Sequence, residues 1–368
     1  AVEKVVKYLI EAKGASVFED LGIQMNLNST LTSYLEKLLW VLCGHYGKPG
    51  AQYIPTSLLD ILGGGRSSRR SPVVGATIVS NLVPCNVIAD EILTDHPNRY
   101  RAMLIESANP VHSLADSNRF VKALRSLDTV VVIDVAMTET ARQADYILPA
   151  ATQYEKAEAT FFNFEFPENY FHLRRPLFEP LGDALPEAEI HSRLVEAAGA
   201  MPLSLCKDLR KILKNHGLAN FRDKLFASIS ENPDLGKLIP VILYRTLGQV
   251  LERSVAEGAV LLPLSIELAQ RESASLRRAG FEGDDPISQS EALFEAILEG
   301  TSGVVFSRES NESALHRLGN NGRIRLDIPE LLEELKLLAE IDEDNSTSEF
   351  PFILMAGERR DYSANTIY

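Results

Sequence analysis

Apolar and polar positions along this chain of 368 residues follow two rhythms, and each rhythm predicts a different element. Val2, Val5, Val6, Leu9 and Ile10 recur at helical spacing and predict a helix over residues 2–13. Residues 15–18 are read as a short strand. Ser29 or Thr30 then caps a helix reaching about Cys43, with Leu31, Leu35, Leu38, Leu39 and Leu42 inward. Residues 53–98 are rich in Gly, Pro and Ser and predict loops and short helices.

The rhythm changes at residues 102–106 (AMLIE), a continuous apolar run of the kind buried on both faces of a parallel sheet. It ends in the polar turn Ser107-Ala108-Asn109-Pro110. Asp116 or Ser117 caps a helix over 118–127, and Val130, Val131, Val132 and Ile133 form a second buried run that stops at Asp134. Thr138 caps the short segment 139–143, and residues 145–148 make a third strand that Pro149 ends. Strands alternating with helices at these spacings imply parallel βαβ units. The fold class is therefore α/β: a parallel Rossmann-like sheet flanked by helices over 1–160, followed by a mainly helical region. Residues 130–134 should be its interior strand, between 102–106 and 15–18.

Further on, residues 165–175 show no helical period, whereas 187–198 predict a helix with Ile190, Leu194 and Val195 toward a core. Residues 202–270 and 288–299 read as amphipathic helices separated by a polar stretch, 271–286. Strands are expected at 303–306 and 324–326, around the turn 319–322, and a helix at 329–341. The acidic segment 341–349 reads as a linker, and 350–355 as a strand.

Composition narrows the function. A net charge of −14 leaves no basic excess for phosphate neutralisation, which argues against nucleic acid as a partner. The basic cluster Arg66, Arg69 and Arg70 reads as a solvated loop. Cys43, Cys85 and Cys206 are far apart and contain no C-x-x-C pair, so they propose neither a zinc site nor an iron–sulfur cluster. His191, alone on a helix, reads as polar surface rather than as a metal ligand. No apolar run approaches the roughly 20 residues of a membrane span. The sequence begins inside a helix without an initiator Met and stops in mid-pattern, and is read as a piece of a longer protein.

The ordered run 131–163 (VVIDVAMTETARQADYILPAATQYEKAEATFFN) resembles the central signature of the molybdopterin oxidoreductases, the superfamily of formate dehydrogenases, nitrate reductases and dimethyl sulfoxide reductase. The pattern shared is strand, Asp, a T-E-T-A turn, A-D-x-x-L-P, then E-K. The G-x-x-G-x-P-G turn at 44–50 is similar to the family as well, although Leu21 and Met25 depart from its usual residues. The resemblance implies that 161–340 includes a return segment to a neighbouring domain, and that 350–368 opens a truncated molybdopterin-dinucleotide domain. It also implies a molybdopterin guanine dinucleotide cofactor with molybdenum or tungsten in the parent protein. An iron–sulfur cluster would sit in a missing upstream part, and the fragment alone should hold none of these.

By the same resemblance Asn109, Ile133, Asp134, Lys156 and Glu189 are the expected cofactor contacts. Their chemistry is apt. A carboxylate at a strand end accepts from ring N–H groups or ribose hydroxyls, a lysine neutralises phosphate, and an amide both donates and accepts at a ring edge. Ordinary roles compete: Asp134 as a turn cap and Lys156 in an ion pair. No catalytic residue and no metal ligand is assigned. The expected activity of the parent is two-electron oxidation or reduction of formate or a similar small molecule, with electron-transfer subunits as partners and a cytoplasmic location, periplasmic export being left open. The rivals are an unrelated Rossmann dehydrogenase and a noncatalytic scaffold subunit that keeps the fold without the cofactor. The first is weakened because Gly63, Gly64 and Gly65 follow no strand and open no helix.

Overall fold

Val2, Val5, Val6 and Ile10 do lie on a helix, α1 (Val2–Glu11), but all four are exposed and the helix buries no residue. The second helix, α2 (Ser29–Leu42), buries Leu31 and Tyr34. Leu42, expected inward, is exposed. The computed structural model describes residues 2–24, 26–58, 68–159, 165–318, 323–338 and 347–352. The chain divides into two compact units. The first comprises Ala1–Thr56, Phe164–Asn169 and Ser307–Tyr368; the second comprises Ser57–Asn163 and Tyr170–Phe306. In the first, the hydroxyls of Tyr34 and Tyr46 donate to the carbonyls of Leu326 and Ala314, which ties α2 and the turn after it to the later chain segment.

The second unit holds the sheet. Strands β1 (Ala102–Glu106), β2 (Thr129–Asp134) and β3 (Tyr146–Pro149) run parallel in the order β1-β2-β3. Ala102 pairs with Thr129 and Glu106 with Ile133 on one side; Val131 pairs with Tyr146 and Asp134 with Pro149 on the other. The run of β-branched residues is therefore the interior strand, with Val130, Val132 and Ile133 almost fully buried. Helix α3 (Ser117–Arg125) links β1 to β2 and packs Phe120, Ala123 and Leu124 against Ile105, Val130 and Val132. Its start is set by Asp116, whose left-handed backbone (φ 56°) lets the carboxylate accept from the Arg119 amide at 3.1 Å. Between β2 and β3 the turn is fixed as the sequence predicts: Thr138 Oγ1 accepts from the Ala141 amide at 3.1 Å.

Helix α4 (Glu187–Ala197) follows, and a small cluster of Ile133, Ala150 and Ile190 joins it to the sheet. The remaining helices are α5 (Leu203–Glu231), α6 (Ile239–Arg245), α7 (Leu261–Arg278) and α8 (Pro286–Glu299). Their shared core includes Leu209, Phe221, Ile242, Leu268 and Phe294, and it takes in Ala157 and Leu173 from the segment after the sheet. Burying such a Leu or Phe side chain contributes about 1.5–3 kcal/mol each. Gly217 breaks α5 with a φ of 80°, and Asp285 starts α8 by accepting from the amides of Ile287 (2.7 Å) and Ser288 (3.1 Å).

Several expectations are corrected. Residues 15–18 form no strand, and β3 takes the sheet position expected for them. The run is four residues long with Phe18 exposed, so nothing rewards pairing it. Residues 324–326 are likewise not a strand. The polar stretch 271–286 is helical through Arg278, because α7 continues past its apolar half. Residues 350–352 carry no strand, and 353–368 lie outside the described residues. So do Met25, Arg66, the Gly63–Gly65 triplet, the turn 319–322 and most of the linker 341–349.

Candidate functional site

In a parallel sheet the loops that follow successive strands emerge at one edge, the carboxyl edge, where ligands bind in open α/β folds. Here Ser107–Asn109 follows β1 and Val135–Thr140 follows β2. Asn109 joins the two loops. Its Nδ2 donates to Glu139 Oε2 at 2.7 Å, and its Oδ1 accepts from the Thr140 amide (3.2 Å) and hydroxyl (2.7 Å). The Thr140 hydroxyl oxygen accepts in turn from the Val111 amide at 3.1 Å. The amide of Asn109 holds Glu139 below the ordinary carboxylate range, since its N–H favours the charged form. Both ends of the Asn109 side chain are thus engaged within the protein.

Asp134 closes β2 beside this clamp. Its Oδ1 accepts from the Val135 amide at 2.7 Å, the local cap weighed from the sequence. Oδ2 has no protein donor among the described residues, and the side chain is half-buried. Exposed Val135 and Met137 flank it as an apolar lip. Ile133 is fully buried against Ala150 and Ile190, and its carbonyl accepts from the Ser107 amide at 3.0 Å.

Lys156 and Glu189 lie elsewhere, together, on the wall of a cleft of about 850 Å³ that Asn109, Ile133 and Asp134 do not line. Glu155 shapes its rim by accepting from the amides of Thr152 (2.9 Å) and Leu181 (3.0 Å). Lys156 is ion-paired with Glu187 on the first turn of α4, both side chains mostly buried. Glu189, on the same turn, meets Arg245 of α6, whose guanidinium forks between Glu189 (2.5 Å) and Glu196 (2.8 Å). Arg193 adds a bond at 2.6 Å. Burial pushes the Glu189 carboxyl up, but Arg245 and Arg193 outweigh it and hold the group below the ordinary range. Tyr244, beside Arg245, has its phenol pushed up to about 12 by burial and by Glu189 and Glu257.

The structure thus groups the five expected residues in two places: Asn109, Ile133 and Asp134 at the sheet edge, Lys156 and Glu189 in the cleft. Sequence reasoning missed Thr140, Glu187, Tyr244, Arg245 and Glu257. Their partners stand 31 to 56 residues away for the Asn109, Lys156 and Arg245 pairings, beyond any local pattern. A capping-type Glu on the first turn of α4 was the one visible signal.

Residues 34–197 match the family model described as molybdopterin oxidoreductase. Over this segment the chain is similar to the molybdopterin oxidoreductases. All five candidate residues fall inside the molybdopterin-oxidoreductase segment, and helices α5 to α8 fall outside it. The chain is similar to the trimethylamine-N-oxide reductase of Vibrio parahaemolyticus, 36% identical over 100 residues, covering 27% of this chain and 12% of the relative. It is similar to the F420-dependent formate dehydrogenase 2 subunit alpha of Methanococcus maripaludis, 40% identical over 110 residues, covering 30% and 16%. The thiosulfate reductase molybdopterin-containing subunit PhsA of Salmonella typhimurium is 33% identical over 112 residues, covering 30% and 15%. The matched part of the chain spans less than a fifth of each relative's length.

Among the described residues no helix is long and apolar enough to cross a membrane.

Proposed function

We propose that this chain is the central part of a formate dehydrogenase-like molybdopterin oxidoreductase and helps to bind a molybdopterin guanine dinucleotide. When bound, that cofactor supplies two-electron redox chemistry at its metal, and the protein supplies binding and orientation. The observation that carries the reading is Asp134. Its carboxylate ends the interior strand at the ligand edge, one oxygen spent on its own loop and the other without a donor among the described residues.

The donor set suits such a ligand. Asp134 Oδ2 would accept from guanine N–H groups or ribose hydroxyls. Asn109 would act mainly by holding the two edge loops at their spacing, since its amide is already engaged. Lys156 would bring positive charge toward phosphate, tempered by Glu187. Glu189 would position Arg245 on the same wall. Substrate, in this reading formate or a similar small molecule, and electron-transfer subunits belong to the parent protein.

One observation favours the scaffold reading instead: Lys156 and Glu189, expected at the cofactor, already satisfy partners within the chain. The two readings part in the full-length parent. Asp134→Ala should reduce retained pterin, measured as fluorescence of the oxidised pterin after release, while the far-UV circular dichroism stays unchanged. Wild-type pterin content in that variant would leave Asp134 a loop cap and remove the support for cofactor binding at this edge. A parent protein with no pterin at all would make the scaffold reading the correct one.

A further inference from the structure

Behind the cleft, between α4 and α6, lies a second cavity of about 310 Å³. That is close to the lower bound of roughly 300 Å³ for small-molecule sites. Its walls are largely apolar: Val195 from α4, Leu238, Pro240 and Val241 from the start of α6, and Val260 from the following segment. Four polar side chains reach it, and three present no unanswered charge. His191 Nε2 sits 2.8 Å from Glu106 Oε2, and Lys237 Nζ sits 2.8 Å from Asp234. Tyr244 is a neutral phenol, pushed up to about 12 chiefly by burial, and presents no charge.

Glu257 is the exception. It lines both this cavity and the larger cleft, and its Oε2 is buried with no hydrogen-bond partner among the described residues. The cations that act on it do not relieve it: Lys156 is held by Glu187, and Arg253 by Glu179 at 3.0 Å. A buried carboxyl oxygen without a donor is costly, and native structures rarely leave one so. An apolar chamber with one unfilled acceptor of negative charge is complementary to an apolar body that carries a cationic N–H group.

We propose that the cavity between α4 and α6 binds a small primary amine, its hydrocarbon or aromatic body against Val195, Val241 and Val260 and its ammonium on the Glu257 carboxylate. Glu257, Val241 and Val260 lie outside the molybdopterin-oxidoreductase segment and Val195 lies inside it, so the site is built jointly by that segment and the helical region. The local electrostatics adds a signature. Burial pushes the Glu257 carboxyl up and Glu187 adds to this, while Lys156 and Arg253 oppose. Tyr244 stays neutral, with its phenol pushed up to about 12, and His191 remains on Glu106. An ammonium requires the charged carboxylate, so binding displaces a proton wherever Glu257 is still protonated.

Benzylamine is the probe, titrated calorimetrically into the full 368-residue chain near neutral pH. Binding in the millimolar range or tighter is expected, the order that a ligand of about eight non-hydrogen atoms can reach. Benzyl alcohol, of the same shape without charge, should bind about tenfold more weakly, and Glu257→Gln should lose a similar factor for the amine. Val241→Trp, which fills the chamber and leaves Glu257 intact, should abolish binding in a chain with an unchanged urea midpoint. Any residual protonation of wild-type Glu257 appears as buffer-dependent heat that Glu257→Gln lacks. The proposal is overturned if the wild-type chain binds no benzylamine, if benzyl alcohol binds equally well, or if both variants bind as the wild type does.

Discussion

At the scale of single residues, the sheet edge depends on one amide. Asn109→Ala would remove a bond to Glu139 and two from buried Thr140, leaving polar groups of the latter without their acceptor. A loss of about 1–3 kcal/mol is expected from the urea midpoint. The nuclear magnetic resonance titration of Glu139 should move up toward the ordinary carboxylate value, because its main stabilising donor is gone. A variant of wild-type stability would mean that the two loops are held by something else. The Glu189–Arg245 pair makes a prediction of sign. The carboxyl is depressed when folded, so its contribution is complete above the unfolded value of about 4.3 and is lost as pH falls through the lower folded value. The difference in melting temperature between wild type and Arg245→Met should therefore hold steady from pH 8 to about 5 and shrink below that. A difference that stays constant down to pH 3 would mean the packing of Arg245, rather than its charge, sets it.

At the scale of elements, boundaries follow from local chemistry wherever a cap or a break is present. Asp116, Thr138 and Asp285 each start a turn or helix by accepting backbone N–H groups, as side chains at those positions do. Gly217 is the opposite device. It sits inside α5 at a φ of 80°, with open space where a side chain would begin. Gly217→Ala should destabilise by about 1–2 kcal/mol from backbone strain alone, measured by urea denaturation. A stabilised variant would show that α5 straightens once a helix former replaces the glycine. Strand 15–18 failed for a reason visible at this scale. A four-residue run makes a strand only when a neighbour accepts its backbone groups, and beside β2 that place is taken by β3.

At the scale of the whole molecule, the helical region is not an appendage to the superfamily segment. Ala157 and Leu173, from the chain between sheet and helices, belong to the same core as Phe221, Ile242 and Phe294. Phe221 is fully buried there. Phe221→Ala should cost about 3–5 kcal/mol through lost burial and the cavity left behind, read from the urea midpoint by far-UV circular dichroism. A loss below about 1 kcal/mol would mean that α5 is peripheral to the core. The cleft has the same origin, since its walls combine Lys156 and Glu189 with Tyr244, Arg245 and Glu257.

The sequence by itself determined the parallel strands 102–106 and 130–134, the caps at Asp116 and Thr138, the carboxyl edge with Asn109 and Asp134, and the likeness to the molybdopterin oxidoreductases. All of these are written in neighbouring residues: runs of β-branched side chains, 3.6-residue spacing, caps, and one long ordered motif. Only the tertiary structure decided what each of those residues touches. It made β3 the second neighbour of β2, left the apolar face of α1 exposed, set Lys156 on Glu187 and Glu189 on Arg245, and stranded an oxygen of Glu257 between two cavities. Periodicity records which face of an element avoids water. The identity of its partner depends on which distant side chains compete for that face, and no local pattern carries that information.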